Sequence, residues 1–232
     1  MGRRCRWAPR RAALGPGRRR NEERLRLLPR RSGGGGGLMP PAQTRRHALI
    51  VGGTGMLYGA SLGLAERGFH VSVVARNRDR LYRLAQAVRG LAGTVHPVPV
   101  DYRDTDRMVA ALAETRVRFG PIELAVVWIH GTAPQAPMEV AKMVGDVGAP
   151  GRYFYVLGSA SANPAHINGS LRAALARLDN LLYREIILGF VVEGGRSRWL
   201  TNAEISAGVL HAIDADEPRY VVGTVEPWAL HP

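Results

Sequence analysis

From His47 onward, short runs of apolar residues alternate with stretches whose apolar positions recur every three or four residues, and glycine stands at many of the junctions. The first pattern reads as a strand buried on both faces, the second as an amphipathic helix. HALIV is such a strand, and GASLGLAERG is a helix that Gly68 closes as a left-handed cap. FHVSVVA is the second strand, followed by DRLYRLAQAVRG, whose Leu81, Leu84 and Val88 share one helical face before Gly90. Val95 to Val100 reads as a third strand, although Pro97 and Pro99 withhold two ladder donors. Asp104 to Arg118 is helical, ELAVVWI a buried strand, APMEVAKMVGDV a helix and RYFYVLG the next strand. A short helix over 170–178, the run REIILGFVV, the helix TNAEISAGVLHAI and the strand RYVVG complete the series. Thr201 and Glu204 have the spacing of a capping box at the start of that last helix.

About seven strand–helix alternations imply parallel pairing through right-handed crossovers. The predicted fold class is therefore α/β, a single doubly wound parallel sheet of about seven strands of the Rossmann type, spanning 46–232. No apolar run approaches the roughly 18 to 20 residues of a membrane helix, and strand-sized stretches such as 125–129 are the longest kind. Cys5 is the only cysteine, which excludes an internal disulfide and suits a reducing, cytoplasmic setting.

The net charge of +13 changes this picture less than its size suggests. Residues 1–38 hold twelve arginines against Glu22 and Glu23, which is 12 − 2 = +10 and leaves +3 for the rest. This arm, ending in five glycines, has almost no periodic apolar face and reads as disordered within a basic segment 1–45. Three readings stay open for it: a phosphate-binding arm, a transit peptide that is poor in serine, or a segment without a role preceding a translation start at Met39. Nucleic acid and membrane are not expected partners, and the oligomeric state is open. If the arm bound nucleic acid, removing residues 1–38 would abolish that affinity.

The chemistry concentrates in VGGTGMLYGA, four glycines within eight residues between the first strand and the first helix. A loop at that place offers bare backbone N–H groups to a phosphate, whereas a tight turn alone needs fewer glycines. The segment 47–100, with this loop and the following VVARNRDRL, resembles the short-chain dehydrogenase/reductase family. Against that family's T-G-x-x-x-G-x-G pattern, Gly52 stands at the threonine, Gly53 at the first glycine, Leu57 at the second and Gly59 at the third. Gly55 is an additional glycine. The resemblance implies a dinucleotide held by Gly53, Thr54, Gly55, Met56, Leu57 and Gly59. It places Arg76 and Asn77 after the second strand, Asp101 and Tyr102 after the third and Gly131 after the fourth. Ala75 stands where an acidic residue would bind the ribose of NAD, and Arg76 beside it suits a 2′-phosphate, so NADP(H) is preferred over NAD(H).

The catalytic half departs from the pattern. Ser159 in VLGSASA aligns with the family's carbonyl-binding serine, with Ser161 as its neighbour. Lys142 is the only lysine in the chain and Met138 stands four residues before it, so no Tyr-x-x-x-Lys motif exists. Tyr183 leads into a strand with Arg184 beside it, and arginine cannot exchange a proton near neutral pH. Ser159 and His130 are the candidate catalytic residues, His130 standing with Trp128, Ile129 and Gly131 at the family's N-N-A-G segment. After LGF, Glu193 replaces the family's threonine, and Arg196 and Arg198 in GGRSRW are candidate anion clamps on a loop. The histidines show no metal-ligand spacing, and neither a Gly-x-Ser-x-Gly elbow nor a P-loop is present. The expected function is an NADP(H)-dependent oxidoreductase of a carbonyl or alcohol lacking the usual acid–base pair; the alternative is a non-catalytic NADP(H)-binding sensor or scaffold.

Overall fold

The computed structural model describes residues 46–146, 148–162 and 169–232; the basic arm and Met39 lie outside them. In chain order the elements are β1 (His47–Val51), α1 (Tyr58–Glu66), β2 (His70–Ala75), α2 (Arg78–Ala87), β3 (Thr94–Pro99), α3 (Thr105–Phe119), β4 (Ile122–Val127) and α4 (Ala136–Lys142). They continue with β5 (Gly151–Gly158), α5 (Gly169–Leu175), β6 (Leu181–Leu188), β7 (Phe190–Glu193), β8 (Arg196–Trp199), α6 (Asn202–Ala215) and β9 (Arg219–Val222). Seven strands form one sheet in the order β3-β2-β1-β4-β5-β6-β9, every pair parallel, while β7 and β8 form a separate antiparallel ribbon.

The period of two places successive strand residues on opposite faces, and both faces are covered. In β1, Ala48 and Ile50 join a core with Leu64 of α1, Leu81 and Leu84 of α2 and Val209 of α6. Leu49 and Val51 join the opposite core with Met108 and Leu112 of α3, Val140 of α4 and Leu175 of α5. The prolines of β3 are explained by its place at the sheet edge. Two residues apart, Pro97 and Pro99 withhold their donors on the same side of the strand, and that side can be the open one. Asp104 and Thr201 cap α3 and α6, the latter with both bonds of the capping box.

At the amino ends of β1 to β3, His47, His70 and His96 surround the ring of Phe119, with centroids 4.9 to 5.6 Å away. Nδ1 of His47 lies 2.9 Å from the Gly120 carbonyl, which can only accept, so that nitrogen carries the proton; Nε2 then accepts from the Ser72 hydroxyl at 2.9 Å. Burial holds the protonation of His47 below its ordinary value of 6.5, opposed by the Gly120 bond and aided by His70, His96 and Arg116; burial acts likewise on His96. A histidine whose folded pKa is depressed contributes stability that is complete above the unfolded value and is lost as pH falls below it. The thermal midpoint should therefore fall between about pH 7 and about pH 5. The slope should be shallower for His47→Gln, measured by circular dichroism at matched ionic strength; equal slopes would remove His47 from the account.

Candidate functional site

The strand order reverses between β1 and β4, and parallel α/β sheets place ligands at the carboxyl ends of the strands flanking such a reversal. The glycine loop lies there. Gly52 has φ +86, and its N–H donates to the Val74 carbonyl at 2.9 Å, tying the loop to β2. A Cβ on Gly53 would come within 2.6 Å of Val73 and 2.8 Å of Ser61, so only glycine lets the loop pass between β2 and α1. Gly59 serves helix packing, since a Cβ there would lie 2.9 Å from Ser206 of α6. Ser206 in turn donates to the Met56 carbonyl at 2.8 Å. Gly55 faces open space. Leu57, where the family has a glycine, is fully buried in the core. The carbonyls of Gly53, Gly55, Met56 and Leu57 accept bonds from within the protein, whereas the N–H groups of 53–57 have no backbone partner among the described residues.

A cavity of about 430 Å³ opens on this loop, lined by Gly52, Thr54, Gly55, Met56, Val74, Ala75, Arg76, Asn77, Arg80, Tyr102, Trp128 and His130. Thr54, Gly55, Met56, Arg76, Asn77 and Tyr102, all candidates from the sequence, thus line one cavity. Arg80 and Trp128 are additions. Asn77 caps α2 by accepting from the Arg80 amide at 2.9 Å, which sets the start of that helix beside Arg76 and brings Arg80 to the same cavity. Gly53, Leu57 and Gly59 shape the loop from behind, and Gly131 is exposed nearby. Asp101 accepts from the backbone N–H of Arg103 at 3.0 Å and from its guanidinium at 2.6 and 3.0 Å. That bond holds its carboxyl below the ordinary range, with Arg76 adding to the effect, so an adenine contact at Asp101 competes with Arg103.

Ser159 follows β5, which is parallel to β4 and so delivers the serine to the same edge of the sheet. It is 6% exposed, and its hydroxyl lies 2.7 Å from Nε2 of His231, a residue that no motif in the sequence points to. His130, the other catalytic candidate, lines the loop cavity with its ring edge-on to Trp128 at 5.3 Å. Tyr183 donates to Glu185 at 2.9 Å, and burial together with that carboxylate raises its pKa far above the ordinary value. Lys142 pairs with Glu139 at 2.7 Å on the exposed side of α4.

GGRSRW departs from the expected ligand loop. Gly194 and Gly195, with φ of 56 and 77, make the two-residue turn of the hairpin β7–β8. Arg198 donates to both oxygens of Glu204 and to Glu193, all at 2.9 to 3.0 Å, so it fastens the hairpin to the start of α6 and is not a free clamp. The carboxyl of Glu204 is held down to about 2 by Arg198 first and Thr201 second. Arg196 is exposed, with no ion pair among the described residues. No group of three or more potential metal ligands occurs among the described residues, and none of their helices is long and apolar enough to cross a membrane.

The parallel sheet in this order, with the glycine loop at its reversal, defines a Rossmann-type α/β fold. Residues 46–139 match the family model described as short chain dehydrogenase. The fold is similar to a short-chain type dehydrogenase/reductase from Mycobacterium marinum, with a TM-score of 0.62, 18% identity, and coverage of 77% of this chain and 93% of that one. It is also similar to a metagenomic short-chain oxidoreductase in complex with NADP, with a TM-score of 0.59, 16% identity and coverage of 77% and 96%. A 3-oxoacyl-[acyl-carrier protein] reductase from Brucella melitensis gives a TM-score of 0.59, 20% identity and the same coverage of 77% and 96%. A search of curated protein sequences gave no match.

Proposed function

We propose that the protein is an NADP(H)-dependent oxidoreductase that interconverts a carbonyl and an alcohol. The observation that supports this most is the cavity in which the glycine loop and two arginines, Arg76 and Arg80, face one another. The loop amides at the start of α1 suit the pyrophosphate, because unpaired N–H groups and the helix dipole both favour an anion. Gly55 leaves room for close approach. Arg76 and Arg80, with Ala75 where a carboxylate would repel a phosphate, suit the 2′-phosphate of NADP. Tyr102 and Asn77 line the adenosine side. When bound, the nicotinamide would supply or accept a hydride. Ser159 would donate its hydroxyl to the substrate oxygen, fixing the carbonyl for attack.

A second reading is a non-catalytic NADP(H)-binding sensor or scaffold, favoured by the placement of Lys142 and Tyr183 in ion pairs and hydrogen bonds away from Ser159. Calorimetric titration with NADPH and NADH tests what the two share; we expect NADPH to bind more tightly by about tenfold or more. Equal affinities would remove the NADP assignment, and binding of neither would remove both readings. NADPH oxidation in the presence of aldehydes and ketones separates the two, since the sensor binds without turnover.

A further inference from the structure

We propose that His231 is the proton relay of this site, acting through Ser159 in place of the missing tyrosine and lysine. The inference rests on the oxidoreductase reading above. Its foundation is the 2.7 Å contact between Ser159 Oγ and His231 Nε2, within the reach that proton transfer requires. Three observations make the contact a built one. The imidazole is in ring contact with Trp228, Trp199 and Phe190, with centroids at 4.6, 4.9 and 5.6 Å. The segment carrying it is fastened to the hairpin: Phe190 and Thr224 exchange two backbone bonds at 2.8 Å. Finally, Gly189 lets the two backbones meet, because a Cβ there would lie 2.1 Å from the Thr224 carbonyl. The glycine of the Leu-Gly-Phe run therefore seats the chain that delivers the histidine.

Three other candidate proton donors are committed elsewhere. Tyr153 donates to the Pro137 carbonyl, Tyr183 to Glu185, and Lys142 pairs with Glu139. Among the described residues no carboxylate or guanidinium touches the His231 ring. The charged side chains of the elements packed on it are Glu193, Arg196 and Arg198 of the hairpin and Glu226 of its own segment.

The chemistry balances with these groups. Reduction of a carbonyl adds two electrons and one hydrogen nucleus at carbon as hydride, and leaves an oxygen that needs one proton. That oxygen takes the proton of the Ser159 hydroxyl as the serine oxygen takes one from the protonated His231. Water then reprotonates the imidazole, and alcohol oxidation runs the same path in reverse. Histidine suits the task because its ordinary protonation change lies near neutral pH, which a serine hydroxyl cannot achieve alone.

The test uses the full chain with His231→Gln, His231→Ala and Ser159→Ala. Nitrogen NMR of histidine-labelled protein should show one imidazole whose Nε2 resonance moves in Ser159→Ala. NADPH affinity, read by fluorescence, should change less than about twofold in His231→Gln, since His231 is not placed on the loop cavity; loss of NADPH binding by the wild type would instead overturn the underlying function. With 4-nitrobenzaldehyde and phenanthrenequinone as probes, kcat should fall by about 100-fold or more, the scale of general acid–base catalysis. Its pH profile should flatten, and free imidazole should restore part of the loss in His231→Ala. An unchanged or raised kcat in these variants would overturn the proposal. If neither probe is turned over, a histidine resonance indifferent to Ser159→Ala overturns it equally.

Discussion

Replacing Arg76 by alanine should weaken NADPH binding by about 10- to 100-fold while leaving NADH within about twofold. A hydrogen bond to a charged group contributes roughly 1.5–3 kcal/mol, and each 1.4 kcal/mol is about tenfold in affinity. Arg76 is exposed at the mouth of the cavity, which places the effect at the lower end of that range, and Arg80 keeps part of the positive potential. The double variant Arg76→Ala/Arg80→Ala should therefore lose more than either single one and bind both dinucleotides alike. Calorimetry on the four proteins checks this. A parallel loss of NADH affinity would mean that Arg76 supports the loop and not the 2′-phosphate.

The largest effect on stability should come from Arg172. Glu185 of β6 is 5% exposed, and its carboxylate is held by two nitrogens of the Arg172 guanidinium on α5 and by the Tyr183 hydroxyl at 2.9 Å. Removing one partner of such a pair leaves a buried charge uncompensated, at about 3–5 kcal/mol. For a domain of this size that is a fall of roughly 6–20 °C in the thermal midpoint of Arg172→Ala. Arg172→Met with Glu185→Leu removes both charges and keeps apolar volume, so the double variant should regain most of the loss. Scanning calorimetry of the cycle decides it: if the double variant is as unstable as the sum of its parts, the ion pair is not the source. The same cluster explains why Tyr183 makes a poor acid. Burial first, and then the Glu185 carboxylate that accepts its hydroxyl bond, disfavour the tyrosinate.

The short continuous apolar runs and the glycine junctions made the parallel sheet legible from sequence. The fourth helix ends at Lys142, five residues before the apolar pattern does, because Val144 and Gly145 turn back to meet β4: Val144 bridges to Ile122, and the Gly145 amide donates to the Ile122 carbonyl. GGRSRW misled because its two arginines suggested a ligand, whereas FVVE and RSRW flanking a double glycine carry the pattern of a hairpin. Arg80 was legible in part, since it follows the cap Asn77 by three residues and Arg76 by four. His231 was not legible at all. It is 72 residues from Ser159, and only the docking of its segment on Gly189 and Phe190 brings the two together.

On this reading a phosphorylated dinucleotide occupies the cavity between the glycine loop and the arginines. The most direct measurement is a crystal structure with NADP⁺ bound. The expected result is the 2′-phosphate between Arg76 and Arg80 and the pyrophosphate on the amides of residues 53–57. A cofactor seated elsewhere, or one whose 2′-phosphate meets neither arginine, would contradict it.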